Sequence, residues 1–211
     1  MVDLSDPQDT FVAGELEIEG YSDYLHPLPN GLLIGLGKDA VPAEPGDDFR
    51  GAWFQGVKLS LFDVSQPSNP IELNSIIIAN RGTTTPALLN PRAFTYLPQS
   101  GDRSARVALG MDVHDLVPWF ISEPRVNTSY QWSRTGLYLF EVDVNAASSV
   151  IENTGAMIVN TVELDANDRP QNFQIRGDDR SLIADDAVFY VNGDDVYASK
   201  WETPEAFVGP K

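Results

Sequence analysis

The sequence predicts an all-β fold, and two observations support this prediction. Apolar runs along the chain are short, β-branched or aromatic, and bounded by Gly, Pro, Asn and Asp, which is typical of short strands joined by turns. The alternating run at residues 57–63 leads directly into an Asp-x-Ser-x-Pro-x-x-Pro turn that ends at Pro70, and residues 2–7 are a shorter version of this pattern. A turn that recurs after a strand indicates a repeated sheet unit. We therefore expect a partial β-propeller of about three four-stranded antiparallel blades, with a β-sandwich or mixed barrel as the alternative.

The first blade is predicted within residues 1–40. Its strands are assigned to residues 2–4, 14–19, 24–28 and 32–37. Pro29, Asn30 and Gly31 favour a hairpin turn between the last two strands, because Asn and Gly adopt the backbone conformations that tight turns need. The first strand reads as the tail of a longer one, and a ring of blades avoids open sheet edges. We therefore expect the remaining blades to lie upstream or to be supplied by oligomerisation.

Two further blades and one insertion are predicted in the same domain. The ranges are 1–211 for the domain, 56–112 and 136–200 for the blades, and 113–135 for an insertion rich in aromatic residues. The strands of the second blade are assigned to residues 57–63, 71–78, 93–97 and 106–111, and those of the third to residues 136–142, 158–164, 180–183, 188–191 and 196–199. Asn192 and Gly193, between the last two apolar runs, are a strong hairpin signal.

The composition is that of a globular protein with a large excess of acid. Of the 211 residues, 42% are hydrophobic, and 31 Asp and Glu against 14 Lys and Arg give a net charge of −17. Such a field repels phosphate and anionic lipid, so nucleic acid and acidic membranes are poor candidate partners. There is no Cys for disulfides or thiolate metal sites. No apolar run approaches the roughly 20 residues of a transmembrane segment, and the first residues lack the basic head and apolar centre of an export signal.

Five blocks of sequence carry a resemblance to a known family. They are residues 20–27 (GYSDYLHP), 33–37 (LIGLG), 56–70, 80–88 (NRGTTTPAL) and 180–199. In this order they resemble a bacterial and archaeal family of secreted β-propeller domains, found as the C-terminal part of larger exported proteins. The family has no established activity, so the resemblance implies a fold and an extracytoplasmic location, whether secreted, periplasmic or on the cell surface. Residues 90–94 (NPRAF) depart from the Asp-His-Lys-Ala-Phe string of the family, so no role of that His can be transferred.

Aromatic and polar residues on or near loops are the candidate binding surface, because loops on a rigid scaffold carry most binding functions. The candidates are Tyr21, Asp23, Tyr24, His26, Trp53, Phe54, Arg81, Trp119 and Trp132. Exposed rings can stack on sugars or anchor a protein, whereas buried rings would pin the loops to the blades. We expect a non-catalytic binding scaffold for a protein or glycan partner.

An enzyme is the alternative, in the form of a hydrolase that acts on polysaccharide through paired Asp or Glu carboxylates. Acidic doublets are plentiful, but adjacent acids on a strand point to opposite faces and are typical of turns. Gly-x-Ser-x-Gly is absent, and His26 and His114 are too few for a His-based zinc site. These observations favour a role without catalysis.

No cofactor is expected, except that the acidic turns allow calcium. Asp-rich turns supply the hard oxygen ligands that calcium takes. The candidate ligands are Asp165, Asp168, Asp178 and Asp179.

Overall fold

The computed structural model describes residues 1–44, 46, 51–98, 100, 104–144, 149–172 and 179–211. Its strands are β1 (Val2–Asp3), β2 (Phe11–Val12), β3 (Tyr21–Leu28), β4 (Leu32–Pro42), β5 (Ala52–Asp63), β6 (Ile71–Ile78), β7 (Thr95–Leu97), β8 (Ala105–Leu116), β9 (Gln131–Asp143), β10 (Val150–Thr161), β11 (Arg180–Ala184), β12 (Ala187–Asn192), β13 (Asp195–Lys200) and β14 (Thr203–Val208). Short 3₁₀ turns occur at Pro29–Gly31, Pro86–Leu88 and Pro91–Ala93. Among these residues no helix is long and apolar enough to cross a bilayer.

Three four-stranded antiparallel sheets follow one another along the chain. Sheet 1 has the strand order β3-β4-β5-β6, sheet 2 the order β7-β8-β9-β10, and sheet 3 the order β11-β12-β13-β14. A separate two-stranded ladder pairs β1 with β2. Strands adjacent in sequence therefore pair in every sheet, as hairpin connections require. The all-β prediction is confirmed, and no sheet in the described part of the chain closes into a barrel.

The sheets begin two strands away from the predicted blade starts. Sheets 1, 2 and 3 span residues 21–78, 95–161 and 180–208, whereas the sequence pattern places blades at 1–40, 56–112 and 136–200. β5 pairs with β4 over its whole length, from Asp63 opposite Leu32 to Ala52 opposite Pro42, and so belongs to the same sheet. Every consecutive pair of strands within a sheet is antiparallel, so turn signals alone do not show which connection separates two sheets.

Two predicted elements also have different bounds in the structure. Residues 14–19 form no strand, and the aromatic-rich insertion is shorter than predicted. β8 extends to Leu116 and β9 begins at Gln131, so the loop between them is residues 117–130. The hairpin around Asn192 and Gly193 is confirmed, because it joins β12 to β13.

The recurring Asp-x-Ser turn closes a hairpin inside a sheet. Ser65 N donates to Asp63 Oδ1 at 2.8 Å between β5 and β6, and Ser5 N donates to Asp3 Oδ1 at 2.8 Å between β1 and β2. In both turns the Asp side chain takes the place of a backbone carbonyl. The pair β1–β2 therefore resembles the last two strands of a four-stranded sheet.

Two apolar layers hold the three sheets together. The layer between sheets 1 and 2 includes Ile34, Leu36, Val57, Leu59, Leu61, Val107, Leu109, Met111 and Phe140. The layer between sheets 2 and 3 includes Ala108, Leu137, Leu139, Met157, Ile183, Val188, Tyr190 and Trp201. Because side chains alternate along a strand, β8 contributes Leu109 to the first layer and Ala108 to the second. Sheet 2 is thus buried on both faces.

Candidate ligand-binding face at one end of sheet 1

The candidate site lies at the end of sheet 1 where β3 and β5 begin and β4 and β6 end. Antiparallel pairing brings these strand ends together, and the β8–β9 loop lies beside them. The residues gathered here are Tyr21, Lys38, Trp53, Phe54, Gln55 and Arg81, which we call the loop face. Four of the six are candidates from the sequence; Lys38 and Gln55 are not.

Aromatic rings and one guanidinium group form the wall of the loop face. The rings of Tyr21 and Phe54 meet edge to face, with centroids 4.9 Å apart. The guanidinium of Arg81 lies 4.9 Å from the centroid of the Trp53 ring, and its Nη1 donates to Phe54 O at 3.1 Å. Phe54 is 49% exposed. These contacts hold flat apolar surface and a positive charge next to each other in solvent.

A hollow of about 260 Å³ opens beside this wall. Its lining consists of Tyr21, Lys38, Phe54, Gln55, Arg81, Gly82 and Ser129. Lys38 Nζ donates to Thr83 O across the site. Burial lowers the pKa of Lys38 to about 8, an effect that the charge of Asp23 opposes and that of Arg81 reinforces. Two cationic groups therefore face one hollow at neutral pH, in a chain of net charge −17.

One donor at the hollow has no partner among the described residues. Arg81 Nε is buried and donates no hydrogen bond to any residue that the structure describes. By contrast, Gln55 Nε2 donates to Trp53 O at 3.1 Å and to Val126 O at 2.8 Å, which ties the loop face to the β8–β9 loop. A buried donor without an acceptor costs free energy, and an anionic ligand or a water molecule would relieve that cost.

A larger groove of about 980 Å³ shares Gln55 with the hollow as a lining residue. Its polar lining includes Asp39, Glu44, Asn80 and Arg125. Burial raises the pKa of Asp39, an effect that the charge of Lys58 opposes. A raised carboxyl pKa is a property that the catalytic acid of a hydrolase needs.

Trp119 forms a second exposed aromatic group in the β8–β9 loop. Its ring meets Phe120 edge to face at 5.6 Å, and the guanidinium of Arg169 lies 4.7 Å from its centroid. Trp119 is 56% exposed. The loop that carries this group also contacts the loop face, because Gln55 Nε2 donates to Val126 O in the same loop.

Tyr24 and His26 lie within β3, away from the loop face. The Tyr24 hydroxyl and His26 Nδ1 are 2.9 Å apart, and the His26 ring contacts Tyr96 with centroids 4.4 Å apart. Phe94 contacts both Tyr24 and His26. Burial lowers the pKa of His26, so the ring is neutral at pH 7. This aromatic cluster packs β3 against the strand that opens sheet 2.

The last two binding candidates lie in different surroundings. Trp132 is buried, and its Nε1 donates to Thr135 Oγ1 at 3.0 Å, so it offers little surface to a ligand. Asp23 is exposed near Tyr21, where burial and, to a smaller extent, the charge of Asp23 raise the pKa of the Tyr21 hydroxyl.

The candidate calcium ligands are held in separate networks. Asp165 Oδ1 accepts from Asn167 N at 2.8 Å and from Arg169 N at 2.9 Å, and these backbone hydrogen bonds lower the pKa of Asp165. Asp179 is buried and accepts hydrogen bonds from Tyr190 and Asn192.

The other two candidate ligands are Asp168 and Asp178. Asp168 is exposed, with a φ of 58°, and Asp178 lies outside the described residues. Within the described ranges, no group of three or more His, Asp or Glu side chains is placed to hold a metal ion. Calcium binding stays a prediction.

Lys38 is the functional candidate that sequence reasoning missed. It follows Gly37 in β4, where Asp39 is the one other charged residue, and a Cβ at Gly37 would overlap Tyr21 O. A glycine required by close strand approach, followed by one of only four Lys in the chain, is the signal that could have identified it.

Comparison with known proteins assigns the chain to a family. A family described as "Beta propeller domain" matches residues 1–204. The chain belongs to the beta-propeller domain family. This propeller domain is similar to an uncharacterized protein of Methanocaldococcus jannaschii, with 43% identity over 74 residues that cover 35% of this chain and 10% of that protein. It is also similar to an uncharacterized protein of Archaeoglobus fulgidus, with 35% identity over 101 residues that cover 48% of this chain and 14% of that protein.

The match confirms the predicted propeller fold and membership of a beta-propeller domain family, whereas the extracytoplasmic location stays a prediction. The aligned part of the propeller domain spans only 10% and 14% of the lengths of these two relatives. No solved structure matches the chain.

Proposed function

We propose that this propeller domain is a non-catalytic, extracytoplasmic binding scaffold whose loop face binds an anionic group on a glycan or protein partner. The observation that carries the proposal is the hollow between Tyr21, Phe54, Lys38 and Arg81. Rings at its wall suit the flat face of a sugar or an apolar side chain, and the two cations suit a carboxylate beside it. The antiparallel sheets underneath hold these groups on a rigid support.

Ligand titrations with matched acidic and neutral compounds test this proposal. Oligosaccharides with uronic acids are compared with their neutral counterparts, and acidic peptides with neutral ones, by isothermal titration calorimetry. We expect binding of acidic members of one or both classes, and a loss of about tenfold in affinity for Arg81→Gln, because a hydrogen bond to a charged group disappears. Arg92→Gln is the matched control, since Arg92 is exposed outside the loop face. Equal binding of acidic and neutral ligands, or equal losses in both variants, would contradict the proposal.

The pH dependence of that binding gives a separate test. Lys38 has a pKa of about 8, so it carries its charge at pH 7 and loses it as the pH rises above 8. We therefore expect affinity for the acidic ligand to fall between pH 7 and pH 9 in the wild type. In Lys38→Met the affinity should be low throughout and nearly independent of pH in this range. If Lys38→Met keeps the wild-type dependence of affinity on pH, Lys38 does not bind the acidic ligand.

A polysaccharide hydrolase is the second candidate, and the raised pKa of Asp39 in the larger groove favours it. Release of reducing ends from acidic and neutral polysaccharides measures this activity directly. Activity that disappears in Asp39→Asn would replace the scaffold proposal, whereas binding without turnover supports the scaffold.

A further inference from the structure

The turn at residues 118–121 of the β8–β9 loop, which we call the aromatic turn, is a feature that the loop face leaves unexplained. Ile121 N donates to Pro118 O at 2.8 Å, so Trp119 and Phe120 occupy the two central positions of a β-turn. Pro118 is buried, whereas Trp119 is 56% exposed and Phe120 is 68% exposed. Central turn positions favour Gly, Pro, Asn, Asp and Ser, because these residues suit the backbone of a turn. Two adjacent large rings in solvent at these positions indicate a contact surface.

A second loop holds the ring of Trp119 in place. The guanidinium of Arg169 lies 4.7 Å from the centroid of this ring. Asp165 Oδ1 accepts from Arg169 N at 2.9 Å, and Asp165 N donates to Arg169 O at 2.9 Å, so the backbone of Arg169 is bonded on both sides. Arg169 is itself engaged with the ring and lies beside Asp165, so the turn offers a ligand its aromatic surface and not a charge.

The β8–β9 loop connects the aromatic turn to the loop face. Ser129 of this loop lines the hollow, and Gln55 Nε2 donates to Val126 O at 2.8 Å. Seven peptide units separate Val126 from Trp119, so their Cα atoms lie at most about 25 Å apart. One extended ligand can therefore reach both the hollow and the aromatic turn.

The part of the loop between the aromatic turn and the hollow is polar. It exposes Ser122, Glu123, Arg125 and Asn127. A protein interface has an apolar core that is buried from solvent, whereas the exposed side chains here are mainly polar. A polysaccharide suits the opposite pattern, because its rings stack on aromatic surfaces and its hydroxyl groups form hydrogen bonds with the polar side chains between them. The arrangement therefore favours a glycan over a protein.

We propose that the aromatic turn is a second subsite for the ligand of the loop face, and that this ligand is an acidic polysaccharide several sugar rings long. We base this on the proposed function, in which an acidic sugar occupies the hollow. Arg81 and Lys38 bind the carboxylate of that sugar, and Trp119 stacks on a ring farther along the same polysaccharide. Two weak contacts with one ligand raise the overall affinity above that of either contact alone.

Calorimetric titration with uronic acid oligosaccharides of different lengths tests for the second subsite. Disaccharides and hexasaccharides of galacturonate and of mannuronate are the probes. We expect the hexasaccharide of at least one series to bind the wild type about tenfold tighter than its disaccharide, because only the longer ligand reaches both groups. Trp119→Ala should lower the hexasaccharide affinity to about that of the disaccharide, with a circular dichroism spectrum like that of the wild type. Phe11→Ala is the matched control, because Phe11 is 54% exposed in β2, outside the loop face and the aromatic turn.

The same titrations separate failure of the second subsite from failure of the loop face. If the disaccharide binds but the hexasaccharide binds no tighter, or if Trp119→Ala keeps the gain in affinity, the second subsite is wrong and the loop face stands. If acidic peptides bind and neither uronate series does, the ligand is a protein and the assignment to a glycan is wrong. If no acidic sugar or peptide binds, or if Arg81→Gln binds the disaccharide as tightly as the wild type, the loop-face proposal is wrong and the second subsite with it.

Discussion

The two interfaces between sheets differ in chemistry, although sheet 2 supplies one side of each. Between sheets 1 and 2 the buried side chains are aliphatic with a few aromatic rings, such as Leu59, Leu109 and Phe140. Between sheets 2 and 3 the apolar layer includes polar groups, because Arg106 and Asp179 are buried there as well. The first interface is stabilised by burial and by a reciprocal pair of hydrogen bonds, in which Asn74 Nδ2 donates to Ile151 O at 3.2 Å and Ile151 N donates to Asn74 Oδ1 at 3.1 Å. The second interface depends on buried charged side chains as well.

Asp179 is the centre of one polar network in the second interface. Its Oδ2 accepts from the Tyr190 hydroxyl at 2.8 Å, and its Oδ1 accepts from Asn192 Nδ2 at 2.7 Å. Burial, reinforced by the charge of Asp179, raises the pKa of Tyr190. Gly110 of sheet 2 lies against the Asp179 side chain, with no room for a Cβ of normal contact distance.

Arg106 is the centre of the second polar network between sheets 2 and 3. Its Nη1 donates to Asp185 O at 2.7 Å, and its guanidinium lies 4.7 Å from the centroid of the Trp201 ring. Trp201 Nε1 in turn donates to Glu141 Oε1 at 2.9 Å. Apolar layers tolerate small shifts, but these bonds are satisfied in one relative position of the sheets. The comparison teaches that sheet 3 is held in register by polar groups.

The largest expected effect comes from truncation in the apolar interface. Leu109→Ala removes a fully buried side chain between sheets 1 and 2. We expect a loss of about 2–5 kcal/mol in the free energy of unfolding, because transfer energy is lost and a cavity remains. Urea denaturation followed by fluorescence measures it. If Leu109→Ala lost less free energy of unfolding than the substitutions at Asp179, Tyr190 and Glu202, the apolar interface would not be the more stabilising of the two.

Removal of the buried carboxylate is expected to have the next largest effect. Asp179→Ala leaves the Tyr190 hydroxyl and the Asn192 amide without their acceptor, and we expect a loss of about 2–4 kcal/mol. Asp179→Asn keeps one acceptor oxygen and should lose less in the same denaturation experiment. Equal losses would indicate that the side-chain volume, and not its hydrogen bonds, matters at this position.

A smaller effect is expected for Tyr190→Phe, which removes one hydroxyl and keeps the ring. The expected loss is about 1 kcal/mol at pH 7. Since the pKa of Tyr190 is raised in the folded state, the unfolded chain ionises first. The advantage of Tyr over Phe is therefore present below about pH 10 and is lost as the pH rises further. Denaturation of both proteins between pH 7 and pH 11 tests the sign of this change.

The smallest effect is expected at the solvent edge of the Arg106 network. Glu202 approaches Arg106 Nη2 at 3.6 Å, but its side chain is 79% exposed. Glu202→Gln should change the free energy of unfolding by less than about 0.5 kcal/mol, because exposed ion pairs are screened by solvent. A larger loss in the free energy of unfolding would show that the exposed ion pair of Glu202 also stabilises this interface.

Local signals in the sequence were sufficient for part of the fold. The Asn192–Gly193 turn and the Asp63 turn were correctly interpreted as connections between strands, because their chemistry acts over a few residues. The grouping of strands into sheets was not correctly predicted. The sequence pattern places β5 at the start of a blade, whereas in the structure β5 is the third strand of sheet 1.

The candidate site shows the same division. Tyr21, Phe54 and Arg81 could be selected as aromatic or charged residues near loops, and the structure brings them together. Trp132 has the same sequence character but is buried, because β9 pairs with β8 at that point and turns its ring into the core.

The sequence by itself determined the all-β class, the main turns and the acidic character of the chain, because alternation, turn chemistry and charge are local or additive properties. Only the tertiary structure decided which strands share a sheet, which rings stay exposed and which cations meet. The bond from Lys38 to Thr83 joins residues 45 positions apart, and the pairing of Asn74 with Ile151 joins residues 77 apart. Contacts at such separations follow from the packing of whole sheets, which no short stretch of sequence specifies.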